Sequence, residues 1–167
     1  MWRSIMRTLV LFGLTLLPGS AMSGEKPLRE QLMGTWKILS VNNTRPDGSI
    51  KQIFGPNPKG IAVFDAHVNT AIILMRSDRP KFAANNRDLG TPEEFKTTVQ
   101  GTHAYFGTYS VNEENKTLVF HVEGNTFPNQ EGIDTERLIS SEGDEFTWIT
   151  PKPSVGGKSE AIWKRVN

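Results

Sequence analysis

The chain has 167 residues, enough for one domain with a proper core and too few to expect two. Nineteen Lys and Arg nearly balance eighteen Asp and Glu, for a net charge of +1, which excludes the clustered basic excess of a nucleic-acid binder. There is no cysteine, so disulfides, thiolate metal sites, cysteine nucleophiles and lipid attachment through a cysteine are excluded.

Arg3 and Arg7 flank the start of an apolar run, Leu9 to Leu17. Pro18, Gly19, Ser20, Ala21 and Ser23 then supply a break and small residues. This is the pattern of a secretory signal peptide, cleaved after Ala21 or Ser23. The run is far shorter than the ~20 residues of a membrane span, although an uncleaved anchor is the competing reading. Residues 1–23 are assigned to the signal and 24–167 to a single domain, a length inside the usual range of ~50–250 residues. The expected location is periplasmic or secreted, with no stable membrane span after cleavage. Two sequons, at Asn42 and Asn115, would matter only on a eukaryotic secretory route.

Pro27 to Met33 can form one helical turn. Gly34 to Val41 has strand composition, with Trp36, Ile38 and Ser40 on one face by the period of two. Arg45-Pro46-Asp47-Gly48 is a turn signal, since Pro pre-sets φ at its position. A short extended piece is expected from Ile50 to Phe54, then a break at Gly55–Pro58. Gly60–Asp65 and Val68–Arg76 form a hairpin pair with a tight connection. Asp78 to Asp88 has no period and is expected to be loop. Thr91-Pro92-Glu93-Glu94 predicts a helix start. Thr91 can cap free N–H groups, Pro92 at the first helical position loses no bond, and Glu94 can reach back to complete a capping box. The helix should run from Pro92 to about Val99 and stop at Gly101. Strands follow at Thr102–Val111, Thr117–Asn125, Asp134–Ser140, Glu145–Thr150 and Lys158–Val166, with turn signals at Glu142–Asp144 and Val155–Gly157. The expectation is all-β: about eight antiparallel strands and one substantial helix, in a sandwich or barrel.

Gly34-Thr35-Trp36 resembles the Gly-x-Trp signature of lipocalins. Gly101–Tyr109, His121–Asn125, Phe127-Pro128-Asn129, Gly132, Arg137 and Gly143-Asp144 are similar to the bacterial and fungal lipocalin-like domain family. The resemblance runs from about Leu32 to Arg165. It implies an eight-stranded up-and-down barrel around a cavity able to enclose one small ligand. It also implies that Trp36 lies at the barrel floor beneath an Arg from a late strand, for which Arg165 is the candidate through cation–π packing. The other loop motifs of classical lipocalins are absent, so their ligands are not carried over, and the fold alone does not fix function.

Walker, dinucleotide, His-Glu-x-x-His and Gly-x-Ser-x-Gly motifs are all absent. Three histidines occur, His67, His103 and His121. His67 is expected at a solvated hairpin tip. Three scattered histidines without cysteine give no clustered metal site, and no cofactor is expected. His121 and Glu123 share one face of a strand, and Tyr105 and Tyr109 share a face with Gly107. Two registers between these strands are open. In one, both tyrosines lie with Leu118, Phe120 and Val122, and His121 and Glu123 turn outward. In the other, a bulge brings Tyr105, Tyr109, His121 and Glu123 together inside. Arg137, mid-strand, would need an acidic ligand or a Glu partner if it points inward. Arg79 and Lys81 are expected in solvent. Trp148 alternates with Phe146 and Thr150 and fills core.

Three functional readings follow. The first is an exported monomeric protein that binds a small, mostly apolar molecule through Tyr105, Tyr109, Phe120, Arg137 and Trp148, the capped helix lying across one barrel mouth. The second is an isomerase, cyclase or hydrolase on the same scaffold, Tyr105 or Tyr109 polarising a substrate oxygen and His121 or Glu123 moving a proton. The third is a structural protein whose barrel is filled by its own side chains.

Overall fold

The computed structural model describes residues 26–166, so the signal-peptide assignment to residues 1–23 lies outside the described residues. Nine strands run in chain order: β1 (Gly34–Thr44), β2 (Ile50–Gln52), β3 (Lys59–Phe64), β4 (Asn69–Met75), β5 (Thr102–Asn112), β6 (Thr117–Asn125), β7 (Asp134–Glu142), β8 (Glu145–Thr150) and β9 (Lys158–Arg165). All pairings are antiparallel. From β3 to β9 each strand pairs with the next, and β1 pairs with both β3 and β9. Eight strands therefore close into an up-and-down barrel and leave no long free edge. The ninth, β2, is a three-residue exposed flap on the far end of β1. Two helices, α1 (Leu28–Leu32) and α2 (Pro92–Gln100), complete the fold with a short 3-10 turn at Pro128–Gln130.

Closure depends on β1, which must bend to serve two neighbours. Its register with β9 shifts between Ile38 and Ser40, leaving Leu39 as an extra residue. The bulge changes which side chains face inward. Trp36 and Ile38 point in as the period of two predicts, but Val41 and Asn43, not Ser40, continue the buried face. Asn43 is satisfied there by donating to the Gly156 carbonyl and to Ser159 Oγ.

α2 forms for the expected local reasons. Glu94 N donates to Thr91 Oγ1 at 3.2 Å and Thr91 N donates to Glu94 Oε2 at 2.7 Å, a reciprocal capping box. The helix runs one residue past the expected end, and Gly101 N returns to the Thr97 carbonyl at 2.9 Å. The preceding loop is tied down more firmly than its composition implies. Phe82 packs edge-on to Phe95 of α2 at 5.5 Å, and Ala83 N donates to Glu94 Oε1. Arg79 is not simply in solvent, because its Nη1 donates to Thr102 Oγ1 at 2.7 Å. Lys81 is exposed.

Aromatic rings fill one end of the barrel. Trp36, Phe64, Phe120, Phe146 and Trp163 are each almost wholly buried. With Tyr109 and Trp148 beside them, they meet mostly edge-to-face, as in Trp36–Phe146 at 4.6 Å and Phe120–Trp148 at 5.6 Å, the geometry that ring quadrupoles favour. Each such burial contributes ~1.5–3 kcal/mol. The floor is sealed by α1, whose Leu32 is buried and whose backbone N–H groups at Leu28 and Arg29 donate to the Glu113 carboxylate.

Candidate functional site

The floor shows what the Gly-x-Trp pattern does physically. Trp36 Nε1 donates to the Leu32 carbonyl at 2.7 Å, and the Arg165 guanidinium lies 4.1 Å from the centre of the Trp36 ring. Arg165 also donates to the carbonyls of Met33 and Gln31, satisfying groups that the short helix leaves free at its end. Gly34 has φ +121°, and a Cβ there would stand 3.2 Å from Arg165 Nη1. The glycine is needed both for its backbone conformation and for the approach of the arginine. Gly34, Trp36 and Arg165 thus form one structural lock at the closed end, remote from the open mouth.

The other half of the barrel is a cavity of about 820 Å³ that opens at the far end. Leu74, Trp148, Val41 and Ala161 form its deeper wall, and all four are buried. Val99 and Gln100 from the last turn of α2 stand at its mouth with Phe127 and Val155. The helix therefore edges the opening rather than covering it. Tyr105 and Arg137 project in from β5 and β7, and His103 lies two residues before Tyr105 on the same face.

The register of β5 and β6 combines the two arrangements the sequence leaves open. Tyr109 pairs with Phe120 and Gly107 with Val122, but Phe106 pairs with Gly124. Glu123 is the extra residue of a bulge. Because the bulge falls beyond His121, it does not turn His121 inward. The His121 ring sits on the outer surface, with Nδ1 2.7 Å from Asp134 Oδ1 and Nε2 3.3 Å from Ser110 Oγ. Glu123 is exposed. Tyr105, Tyr109, His121 and Glu123 do not converge inside the barrel, so the proton transfer expected of that convergence has no site there. Gly107 sits at this irregularity because a Cβ there would collide with the His121 carbonyl. It permits close strand approach rather than leaving ligand space.

The expected ligand contacts separate into two groups. Tyr105, Arg137 and Trp148 line the cavity. Tyr109 does not: it is core at the filled end, its hydroxyl donating to the Asp65 carbonyl at 3.0 Å and its ring edge-on to Phe64. Phe120 lies beneath the cavity among the packed rings, with the Arg137 guanidinium 5.6 Å from its centre. His67 is exposed at the hairpin tip. Among the described residues, no group of three or more His, Cys, Asp or Glu is placed to hold a metal ion.

Electrostatics single out Arg137. It is 9% exposed; its guanidinium donates to the adjacent Glu136 carbonyl at 2.8 Å and lies beside the Tyr105 hydroxyl, the other polar group that it reaches among the described residues. Among the described residues no carboxylate pairs with it. The Arg137 charge acts on its neighbours. Burial, reinforced by that charge, lowers the His103 imidazole to about 4, so His103 is neutral at neutral pH. Burial pushes the Tyr105 phenol up against the opposing pull of Arg137, so it stays protonated and able to donate. His103 is a site residue that no motif marks, although the period of two along β5 places it on the Tyr105 face. Thr135, one inward step from Arg137 on β7, has a buried hydroxyl without a hydrogen-bond partner among the described residues.

A closed antiparallel barrel, packed at one end and hollow at the other, defines a barrel-type binding protein. Residues 33–166 match the family model described as a lipocalin-like domain, and the chain belongs to that family. Its structure is similar to the crystal structure of a lipocalin-like protein from Bacteroides uniformis ATCC 8492. The two share 13% sequence identity, with 81% of this chain and 98% of that chain covered and a TM-score of 0.41. No curated protein matches the sequence. No described helix is long and apolar enough to cross a membrane.

Proposed function

We propose that the chain is an exported, monomeric carrier that holds a small, mostly apolar molecule in the hollow half of its barrel. The observation that carries this reading is the cavity of about 820 Å³, whose wall presents more apolar than polar surface and whose size lies within the ~300–1,000 Å³ range of small-molecule sites. A barrel that served only as a structural block would fill this space, as the opposite end is filled. Export rests on the basic and apolar pattern before Ser23. It is tested by sequencing the N-terminus of protein recovered outside the cytoplasm, which should begin just after Ala21 or Ser23.

Binding is tested with the neutral fluorophore phenyl naphthylamine. The wild-type protein should raise its fluorescence saturably. Ala161→Phe, which places a ring in the cavity, should abolish that rise while leaving the β-sheet circular dichroism unchanged. Equal fluorescence with both proteins would place the probe elsewhere and remove this reading.

A further inference from the structure

Resting on the reading of the barrel as a binding chamber, we propose that the guest is a monoanionic lipophile, an organic acid whose carboxylate docks on Arg137 while its apolar body lies along Leu74, Trp148 and Ala161. A guanidinium carries five N–H donors in a planar fork and cannot lose its charge. Arg137 is nine-tenths buried, yet among the described residues its guanidinium meets only neutral groups: the Glu136 carbonyl, the neighbouring Tyr105 hydroxyl and the face of Phe120. Buried charges are ordinarily paired. The acidic residues on its own strand do not serve, because Asp134 and Glu136 alternate to the exposed outer side and Asp134 is engaged by His121. An inward-facing cation without a counterion among the described residues, at the wall of a largely apolar chamber, is a site built for an anion that arrives with the ligand.

The charge count selects the anion. The titratable and charged groups along the chamber are His103 and Tyr105 of β5, Arg137 of β7, the outward Asp134 and Glu136, and Lys152 in the exposed rim loop. His103 and Tyr105 are neutral at neutral pH, which leaves one buried positive charge. A dianionic phosphate would leave a surplus negative charge in the same apolar space. A neutral lipid would leave the guanidinium unpaired. A carboxylate matches both the single charge and the planar fork, which it can accept in a bidentate manner. Tyr105, protonated and close to Arg137, offers a further donor.

The test uses dodecanoate and dodecanol, which share an apolar chain and differ in charge, titrated calorimetrically into wild type, Arg137→Met and Arg137→Lys at neutral pH. Wild type should bind dodecanoate about tenfold or more tighter than dodecanol, as expected for a charge-assisted contact. Arg137→Met should lose that preference and keep dodecanol binding. Arg137→Lys should retain part of it. The His103 imidazole gives a second readout by NMR: its pKa should rise when dodecanoate binds and stay put with dodecanol, since the carboxylate offsets the Arg137 charge. Equal binding of both probes by wild type, or a preference that survives in Arg137→Met, overturns the proposal and leaves the chamber reading standing. Uptake of neither probe overturns the chamber reading itself, and this proposal with it.

Discussion

Replacing Arg137 by Met should make the ligand-free protein more stable. The substitution keeps most of the aliphatic stem that packs in the wall and deletes the charged head. Burying an ion costs several kcal/mol after relaxation. In this barrel that cost is offset by one charge-assisted hydrogen bond to the Glu136 carbonyl, ~1.5–3 kcal/mol, and by the cation–π contact with Phe120, ~0.5–2 kcal/mol. The balance leaves the apo protein penalised by about 1–2 kcal/mol. For a domain of this size the melting temperature of Arg137→Met should rise by about 3–6 °C. The assay is reversible urea unfolding of delipidated protein, followed by tryptophan fluorescence. The midpoint should move up with the slope unchanged. Delipidation matters, because a bound anion would stabilise wild type by mass action and mask the effect. If Arg137→Met instead unfolds at lower urea by 1 kcal/mol or more, on the scale of a single net hydrogen bond, the guanidinium is already satisfied without a guest. The inference of an unmet charge then fails.

Other perturbations follow from the same geometry. Gly34→Ala forces a side chain into a backbone at φ +121° and against Arg165; it should cost about 1–3 kcal/mol by urea denaturation, and a neutral result would contradict the floor lock. His103 titrates lower in the fold than in the unfolded chain, about 4 against 6.5, so the unfolded chain takes up its proton first. The stability this confers is complete above about 6.5 and declines as pH falls toward 4, by up to about 3 kcal/mol. His103→Gln should flatten that segment of the stability profile, and an unaltered profile would show His103 to be better solvated than its position implies. His121→Ala removes an exposed hydrogen bond with Asp134 worth ~1 kcal/mol or less and should leave probe affinity unchanged. A large loss of binding would reinstate His121 as a site residue.

What the sequence made legible was governed by local physics. The capping box at Thr91 and Glu94 needs only residues three apart, and it formed as written. The inward faces of β5 and β6 follow from alternation, since Tyr105, Gly107 and Tyr109 must share a side. What stayed hidden depends on partners distant in the chain. The bulges at Leu39 and Glu123 arise from fitting one strand to another, and they decided that Ser40 leaves the inner face and that His121 stays outside. Tyr105 and Tyr109 look equivalent along β5, yet one lines a void and the other a packed floor. Only the summed volumes of rings from six strands determine which end is full. His103 carried a readable signal, the same parity as Tyr105. The lack of a counterion for Arg137 among the described residues carried none, because what stands across the barrel is a property of the assembled tube.

A native mass spectrum of the folded chain, recorded after incubation with dodecanoate and gentle desalting, bears most directly on whether the hollow half of the barrel is a seat for a guest. It should show a single added molecule per chain, lost on denaturation and displaced by the Ala161→Phe ring. A spectrum of the bare chain alone, at every dodecanoate concentration below micelle formation, would mean that the space between β4, β7 and β9 is not a binding chamber.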